Sequence, residues 1–225
     1  MPLLMSHACA KVWIRFLKGF PTCPAKGASM ATDEEFDVSL SDQARSLWGK
    51  SDYGVGESWL PLYVHMTDSA GVAERLWNSW VSRSTRTIVA RAFDGDERLA
   101  QSVFMFLAAV HDIGKATPAF QVKGMPFRSG GEGGILWKPE HAGLVIRHDL
   151  AGRKCPTHPI AGEILLTEYL RNRGFAGNSQ SNRVNRQAKR QASAISCIVG
   201  AHHGRFPSTT RLVHADEDGI ALGQS

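Results

Sequence analysis

The sequence lacks several features that would assign it to common classes of protein. It has no run of about 20 apolar residues, so no segment is typical of a membrane-spanning helix and we expect no membrane partner. Its four cysteines, Cys9, Cys23, Cys155 and Cys197, show no CxxC spacing, which favours free thiols in a reducing compartment, the cytoplasm. There is no GxxxxGK[ST] phosphate loop and no helicase Asp-Glu box, so a helicase motor is not indicated.

Aromatic residues and strand-like alternation are also scarce, but apolar residues are plentiful. Of the 225 residues, 43% are hydrophobic and 21% are charged, which is enough to bury a sizeable core. The net charge of +5 and the isoelectric point near 9.2 favour a polyanionic partner.

The chain divides into an N-terminal extension, one domain and a short tail. Residues 1–29 are basic and irregular, so we expect a disordered or non-native extension rather than an export signal; a short helix packed on the domain is the alternative. Residues 30–210 are predicted to form the domain. A Gly- and Pro-rich loop excursion at about 122–157 is expected on its surface, and residues 211–225 are expected to form an irregular tail.

Apolar spacing predicts that the domain is all-α. In residues 60–81, Val64, Val72, Leu76 and Trp80 lie four or eight positions apart, which predicts one apolar helix face. In the next helix, within 97–112, ten of the twelve positions from Leu99 to Val110 are apolar, which predicts a helix buried almost all round.

Two further helices are predicted after the loop excursion. Residues 157–171 have apolar side chains at helical spacing and a proline in the first turn. The apolar stretch "ASAISCIVGAHHG" predicts another buried helix that ends at His202 and His203, before Gly204.

Ionisable side chains stand at the ends or on the inward faces of these apolar helices. They are His65, His111, Asp112, His158, His202 and His203. A single buried histidine is usually a hydrogen-bonded core residue, but several uncompensated polar groups together are costly to bury. A divalent cation satisfies them jointly, since imidazole suits Mn, Fe, Co, Ni and Zn and a shared carboxylate can bridge two ions.

The order of these residues resembles a known family. His65, "HDIGK", "HPIAGEILL" and "HHGRF" follow the H…HD…H…HH pattern of the HD-domain metal phosphohydrolases. The stretches "HMTDSAGVAERLW", "HDIGKATPAFQ" and "IVGAHHGRFP" resemble, more specifically, the HD nuclease domain of the CRISPR-associated helicase-nucleases of type I interference systems. The resemblance covers about residues 40–210.

The resemblance implies a compact HD-domain helical bundle around a buried metal site that acts as a DNA endonuclease. It implies cleavage of single-stranded DNA in CRISPR antiviral interference, with a helicase subunit or domain and an RNA-guided surveillance complex as partners. One or two divalent ions (Mn, Co, Ni, Fe, Zn or Mg) would be bound. His65, His111 and Asp112 would hold the first ion, and Asp112, the bridging carboxylate, would share the second with His158, His202 and His203. Lys115 would offset the charge of the scissile phosphate, so Asp112 and Lys115 are the candidate catalytic residues.

Two assignments remain open at the level of the sequence. His141 and His148 compete with His158 as the fourth histidine, and we prefer His158 because it opens a patterned helix. Asp68 follows His65 by one helical turn, so its carboxylate either orients that imidazole from outside the ligand set or is solvated.

The chain also departs from the family pattern, which ends with a further Asp in an apolar helix. Asp216 and Asp218 come too early to be that residue, so we expect a C-terminally incomplete domain without its helicase portion. Two alternatives follow: an HD phosphohydrolase acting on small nucleotides, or an inactive fragment that only docks on a partner. Four basic residues are candidate nucleic-acid contacts or a solvated helix face: Arg183, Arg186, Lys189 and Arg190.

Overall fold

The computed structural model describes residues 40–51, 59–124, 135, 137–172 and 182–223. Most of these residues are helical, which confirms the all-α prediction. The α-helices, in chain order, are α1 (Asp42–Ser46), α2 (Leu62–Ser79), α3 (Arg83–Ala90), α4 (Glu97–Val110), α5 (Pro118–Gln121), α6 (Trp137–His141), α7 (His158–Leu170), α8 (Asn182–Gly200), α9 (Thr209–Asp216) and α10 (Gly219–Leu222). Short 3₁₀ turns occupy Arg91–Phe93, Ile113–Ala116, Val122–Gly124 and His148–Leu150.

The sequence did not reveal a small antiparallel hairpin ahead of α2. Strand β1 (Trp48–Ser51) pairs with β2 (Trp59–Pro61), with a register shift between Trp48 and Lys50. With only four and three residues, these strands are too short to show an alternating pattern. The hairpin matters because it lies against the turn that follows α4.

The core forms where α4 packs against α2, α7 and α8. Val103, Phe106 and Val110 of α4 are buried against Leu166 of α7 and Val199 of α8. No residue of α4 from Leu99 onwards is exposed, as its apolar composition predicts. Its N-terminus is capped by the Asp96 side chain, which accepts a hydrogen bond from the backbone N–H of Leu99 (3.0 Å).

The predicted apolar face of the 60–81 helix was wrong. Val72, Leu76 and Trp80 are 56%, 40% and 84% exposed. The buried side of α2 consists instead of these residues: Leu62, His65, Ala70, Ala73 and Trp77. The small alanines let α2 approach α4 closely, and periodicity alone cannot distinguish this side from the bulkier stripe next to it.

The loop excursion contributes more to the core than its composition indicates. Ile135 is buried with Trp48 and Phe120, and Leu150 is buried with Val122. The prediction of a surface loop therefore fails at Ile135 and Leu150, while most other described residues of the excursion are exposed or half-buried. Residues 125–134 and 136 lie outside the described residues.

The prediction of an irregular tail was also wrong. α9 begins after Ser208, whose hydroxyl accepts a hydrogen bond from the backbone N–H of Arg211, and α10 follows it. Ala215 of α9 and Leu222 of α10 pack against Ile160 of α7. These helices are short, and they are held by contact with α7 rather than by a long apolar repeat of their own.

Two further predictions concern the ends of the chain and membranes. The extension over residues 1–29 lies outside the described residues, as do Cys9 and Cys23, whereas Cys155 and Cys197 are free cysteines. Among the helices of the described segments, none combines the length and apolarity required to cross a bilayer.

Candidate metal centre

Four separate parts of the chain deliver ionisable side chains to one place. His65 is on the inward face of α2, and His111 and Asp112 follow directly after α4. His158 is the first residue of α7. α8 ends at Gly200, three residues before the predicted end at His203, so His202 and His203 lie in the turn that follows it.

A glycine allows two of these parts to meet. A Cβ atom at Gly114 would overlap the carbonyl oxygen of His158 and would lie 2.6 Å from the backbone nitrogen of Gly162. The turn after Asp112 is therefore in backbone contact with the first turn of α7. This close approach brings Oδ1 of Asp112 to 3.2 Å from Nε2 of His158.

Asp112 lies at the middle of the cluster and is 4% exposed. Its Oδ2 is 2.8 Å from Nε2 of His65, 2.8 Å from Nζ of Lys115 and 3.2 Å from Nε2 of His111. Its Oδ1 is 3.2 Å from Nε2 of His158 and 3.4 Å from Nε2 of His202. One carboxylate therefore faces four imidazoles and an ammonium group.

Backbone carbonyls fix the orientation of two of the imidazoles. Nδ1–H of His111 donates to the carbonyl of Ala108 (2.7 Å), and Nδ1–H of His202 donates to that of Val199 (2.6 Å). Because a carbonyl only accepts, Nδ1 carries the proton in both rings. In the neutral rings, both Nε2 lone pairs then point at the negatively charged carboxylate of Asp112.

This arrangement is unfavourable without a positive charge between the acceptors. Nε2 of His202 is buried and has no hydrogen-bond partner in the described part of the chain. Unpaired buried polar atoms are costly, and a divalent cation that takes imidazole nitrogens and a carboxylate oxygen removes the conflict. The donor set therefore fits a transition-metal ion, held in the way that carbonyl-oriented histidines commonly hold metals.

The candidate ligands form two groups that could each hold an ion. Within each group the ligand atoms lie within 4.8 Å of one another. One group is His65, His111 and Asp112, and the other is His158, His202 and His203. Asp112 contacts both groups, and Nε2 of His203 is 3.1 Å from Nε2 of His158.

The protonation of the cluster follows from burial and from these contacts. Burial alone would raise the pKa of Asp112, yet its close contacts with His111, His158, His202 and Lys115 hold it far below its usual range. The nearby carboxylate of Asp112 raises the pKa of His111, whereas desolvation lowers the pKa of His65. Asp112 is therefore ionised and available as a ligand.

Lys115 is part of this network and is itself 9% exposed. Its ammonium group donates to Oδ2 of Asp112 and to the backbone carbonyl of Gly49 in β1 (3.0 Å). Gln121 connects the same parts, because its side-chain amide donates to the carbonyls of Lys115 (2.7 Å) and Trp48 (3.0 Å). The sequence did not point to Gln121, although a polar residue directly after the apolar "PAF" was a possible signal.

Other residues considered from the sequence lie away from the cluster. His141 and His148 are exposed, and Nε2 of His148 is 3.5 Å from Glu140, so His158 is the histidine of that interval that reaches Asp112. Asp68 is exposed on α2, and in the described residues no hydrogen bond joins it to His65. The structure thus does not bring Asp68 into the role of orienting that imidazole.

The remaining candidates are the basic residues and the late aspartates. Arg186, Lys189 and Arg190 are exposed on α8, and the Arg183 side chain lies outside the described residues. Asp216 is exposed on α9, and Asp218 forms an ion pair with Arg153 (3.3 Å).

One buried acid near the centre was missed. Glu163 of α7 is 6% exposed, and its Oε2 has no hydrogen-bond partner in the described residues. Its carboxyl group lies against Gly200 so closely that a Cβ there would overlap it. Burial raises the pKa of Glu163, so this carboxyl is held in a setting that favours its neutral form.

The family model and the two relatives that match this chain describe the same kind of protein. The family model described as "Cas3, HD domain" matches residues 48–222. A CRISPR-associated nuclease/helicase Cas3 of Streptococcus thermophilus is 34% identical over 153 residues, which are 65% of this chain and 14% of that protein. A CRISPR-associated endonuclease/helicase Cas3 of Thermus thermophilus is 30% identical over 171 residues, 76% of this chain and 15% of that protein. The chain thus spans only about one seventh of these relatives. No solved structure matches the chain.

Proposed function

The chain belongs to the family of the Cas3 HD domain, and from this membership we propose that it is a metal-dependent nuclease domain that cleaves single-stranded DNA in CRISPR antiviral interference. The single observation that carries the proposal is the pair of Nε2 atoms, from His111 and His202, that face the ionised carboxylate of Asp112. A divalent cation satisfies such a donor set, and a histidine-rich dinuclear site suits phosphodiester hydrolysis.

We assign the ligand residues to two ions according to the distances between their ligand atoms. His65, His111 and Asp112 would hold one divalent ion, and His158, His202 and His203 would hold the other, with Asp112 shared. When bound, divalent ions at these residues would supply hydroxide from water near neutral pH and would stabilise the attacking and leaving oxygens of a phosphodiester. The metal would be one of Mn, Co, Ni, Fe, Zn or Mg.

The chain's own residues supply orientation and charge. The carbonyls of Ala108 and Val199 hold two imidazoles with Nε2 towards the centre. His203 is exposed, and we assign the entry of substrate to its side of the centre. Lys115 balances the charge of Asp112 from the hairpin side, and we assign its ammonium group to the scissile phosphate when DNA is bound.

Substrate and partners follow from the basic surface and the relatives. Arg186, Lys189 and Arg190 lie on α8, which leads to the two histidines, and this exposed basic face would contact DNA phosphates. The curated relatives are named as nuclease/helicases, so we assign a helicase portion as partner. An RNA-guided surveillance complex would present the strand, in the cytoplasm.

A cleavage assay tests the proposal. The purified protein should cut circular single-stranded DNA with Mn, Co or Ni, and chelator should abolish the cutting. Asp112→Ala should be inactive, whereas Asp216→Ala, which removes an exposed aspartate on α9, should cut normally. Release of phosphate from a panel of nucleotides without any cutting of DNA would reject the proposal and would favour a small-nucleotide phosphohydrolase.

A further inference from the structure

An exposed aromatic ring follows the candidate metal ligands closely in the sequence. Phe206 is 72% exposed and follows His203 by three residues. The chain between them turns at Gly204, whose φ is +82°, and then has no regular secondary structure until Ser208 caps α9. The ring is thus held between two anchored points, since His203 contacts His158 and α9 packs on α7.

Exposure alone says little, because single apolar residues are common on protein surfaces. The position of Phe206 is what distinguishes it. Three residues of chain reach at most about 10 Å, so the Cα atom of Phe206 lies within that distance of the Cα atom of His203, and a strand that crosses the centre can extend to the ring. Ile88 and Val145, which are similarly exposed, have no such neighbour in the sequence.

The other aromatic ring at the centre is already occupied. Phe120 is buried against Trp48, with ring centroids 4.5 Å apart, and its ring meets His158 edge-on at 5.7 Å. Its remaining neighbours include Nζ of Lys123, 5.4 Å from the ring centroid. Phe120 therefore has little surface to offer to a ligand, whereas Phe206 has most of its ring free.

Positive charge accompanies both rings. Arg205 is exposed directly before Phe206, and Lys123, which is exposed, approaches the centre over Phe120. An exposed ring and an adjacent exposed arginine, close in sequence to a site proposed to bind phosphate, supply the two parts of a single-strand binding site: a face for a base and a cation for the backbone.

We propose that Phe206 is a stacking platform for one nucleobase of the single strand that passes over the metal centre, with Arg205 contacting the adjoining phosphate. The proposal rests on the proposed nuclease function and adds a reason why the nuclease would bind single-stranded rather than duplex DNA. An unpaired base offers its face to a ring, whereas the bases of a duplex are already stacked on each other.

Binding of a fluorescein-labelled oligonucleotide, measured by anisotropy in chelator, tests the platform without cleavage. Phe206→Ala should weaken binding about tenfold, and Phe206→Leu should weaken it similarly because it keeps an apolar side chain but no ring. Phe206→Trp should bind at least as tightly as the unaltered protein. Ile88→Ala, which removes an equally exposed apolar side chain on α3, should change nothing.

Two further measurements separate stacking from charge and from folding. The loss in Phe206→Ala should vanish when the oligonucleotide carries abasic sites throughout, and it should persist at high salt. Arg205→Gln should instead reduce the salt dependence of binding. Thermal unfolding of all variants should match that of the unaltered protein, since these side chains are exposed.

The outcomes distinguish this proposal from the proposed function. If Phe206→Leu binds like the unaltered protein, or if the loss in Phe206→Ala survives in abasic oligonucleotides, the platform is wrong even when DNA is cleaved. If binding depends on the ring but no metal supports cleavage, the platform stands and the nuclease function is wrong. If the unaltered protein does not bind the oligonucleotide, both are wrong.

Discussion

Gly114 and His158 are in backbone contact, and no side chain fits between them. Gly114 lies two residues after Asp112, and His158 opens α7, so this contact connects two parts of the candidate metal centre. The distance from Asp112 to His158 is therefore set by backbone packing rather than by the side chains alone. Helix packing and metal binding therefore both depend on Gly114.

Gly114→Ala should therefore damage metal binding and stability together. The added Cβ forces α7 away from the turn after α4, and overpacking of this kind costs about 1–3 kcal/mol. Calorimetric titration with Mn and thermal unfolding would measure both effects. Gly71→Ala is the matched control, because nothing lies within 4 Å of its Cβ position on α2. It should stabilise the protein by about 0.5–1 kcal/mol, and an equal loss in both variants would contradict the packing argument.

Gly200→Ala should be destabilising because the new Cβ would overlap the carboxyl group of Glu163. Glu163→Ala in the same chain removes the obstacle, so the double variant should be more stable than the sum of the two single changes predicts. A coupling of about 0.5–3 kcal/mol is expected from a double-mutant cycle of urea unfolding. Additive effects would mean that the two residues are not in contact.

The buried Glu163 predicts a loss of stability with rising pH. Its pKa in the folded protein is raised above the ordinary value of 4.5, so above pH 4.5 the unfolded chain releases a proton that the folded chain keeps. Stability then falls by up to about 1.4 kcal/mol per pH unit until the folded protein also releases it. Glu163→Gln should abolish this fall. Below pH 4, the free energies of unfolding of the two proteins should depend on pH in the same way. If the stabilities of the two proteins changed with pH in parallel above pH 5, this prediction would be wrong.

Lys115→Met should be strongly destabilising without metal and much less so with it. The ammonium group is a buried positive partner of Asp112, and breaking such a pair costs about 3–5 kcal/mol. A bound cation would supply positive charge to the same carboxylate, so Mn should raise the melting temperature of Lys115→Met more than that of the unaltered protein. Equal shifts in both proteins would show that the ion does not reach Asp112.

The candidate site was more predictable than the fold around it. Ionisable residues that interrupt apolar helices, such as His65 and Asp112, are visible in the sequence because burial makes them costly. The buried side of α2 was not visible in the sequence, because whether Ala73 or Leu76 is buried depends on how closely α4 approaches.

The supporting contacts could not be predicted because they join distant parts of the chain. Gln121 connects β1 to the turn after α4, and Glu163 lies against Gly200 of the next helix. Neither pattern has a local period or a spacing rule. The helices α9 and α10, which follow His203, could not be predicted for the same reason. Contact with α7 and a serine cap hold them, rather than an apolar repeat of their own.

The metal content of the protein tests the central claim most directly. After incubation with Mn and removal of free ions, elemental analysis of the unaltered protein should find one or two ions per chain, and Asp112→Asn, which keeps the size but removes the charge, should lose them. A correctly folded protein that retains no divalent ion, or an Asp112→Asn variant that binds as much metal as the unaltered chain, would contradict a cation-binding centre at Asp112.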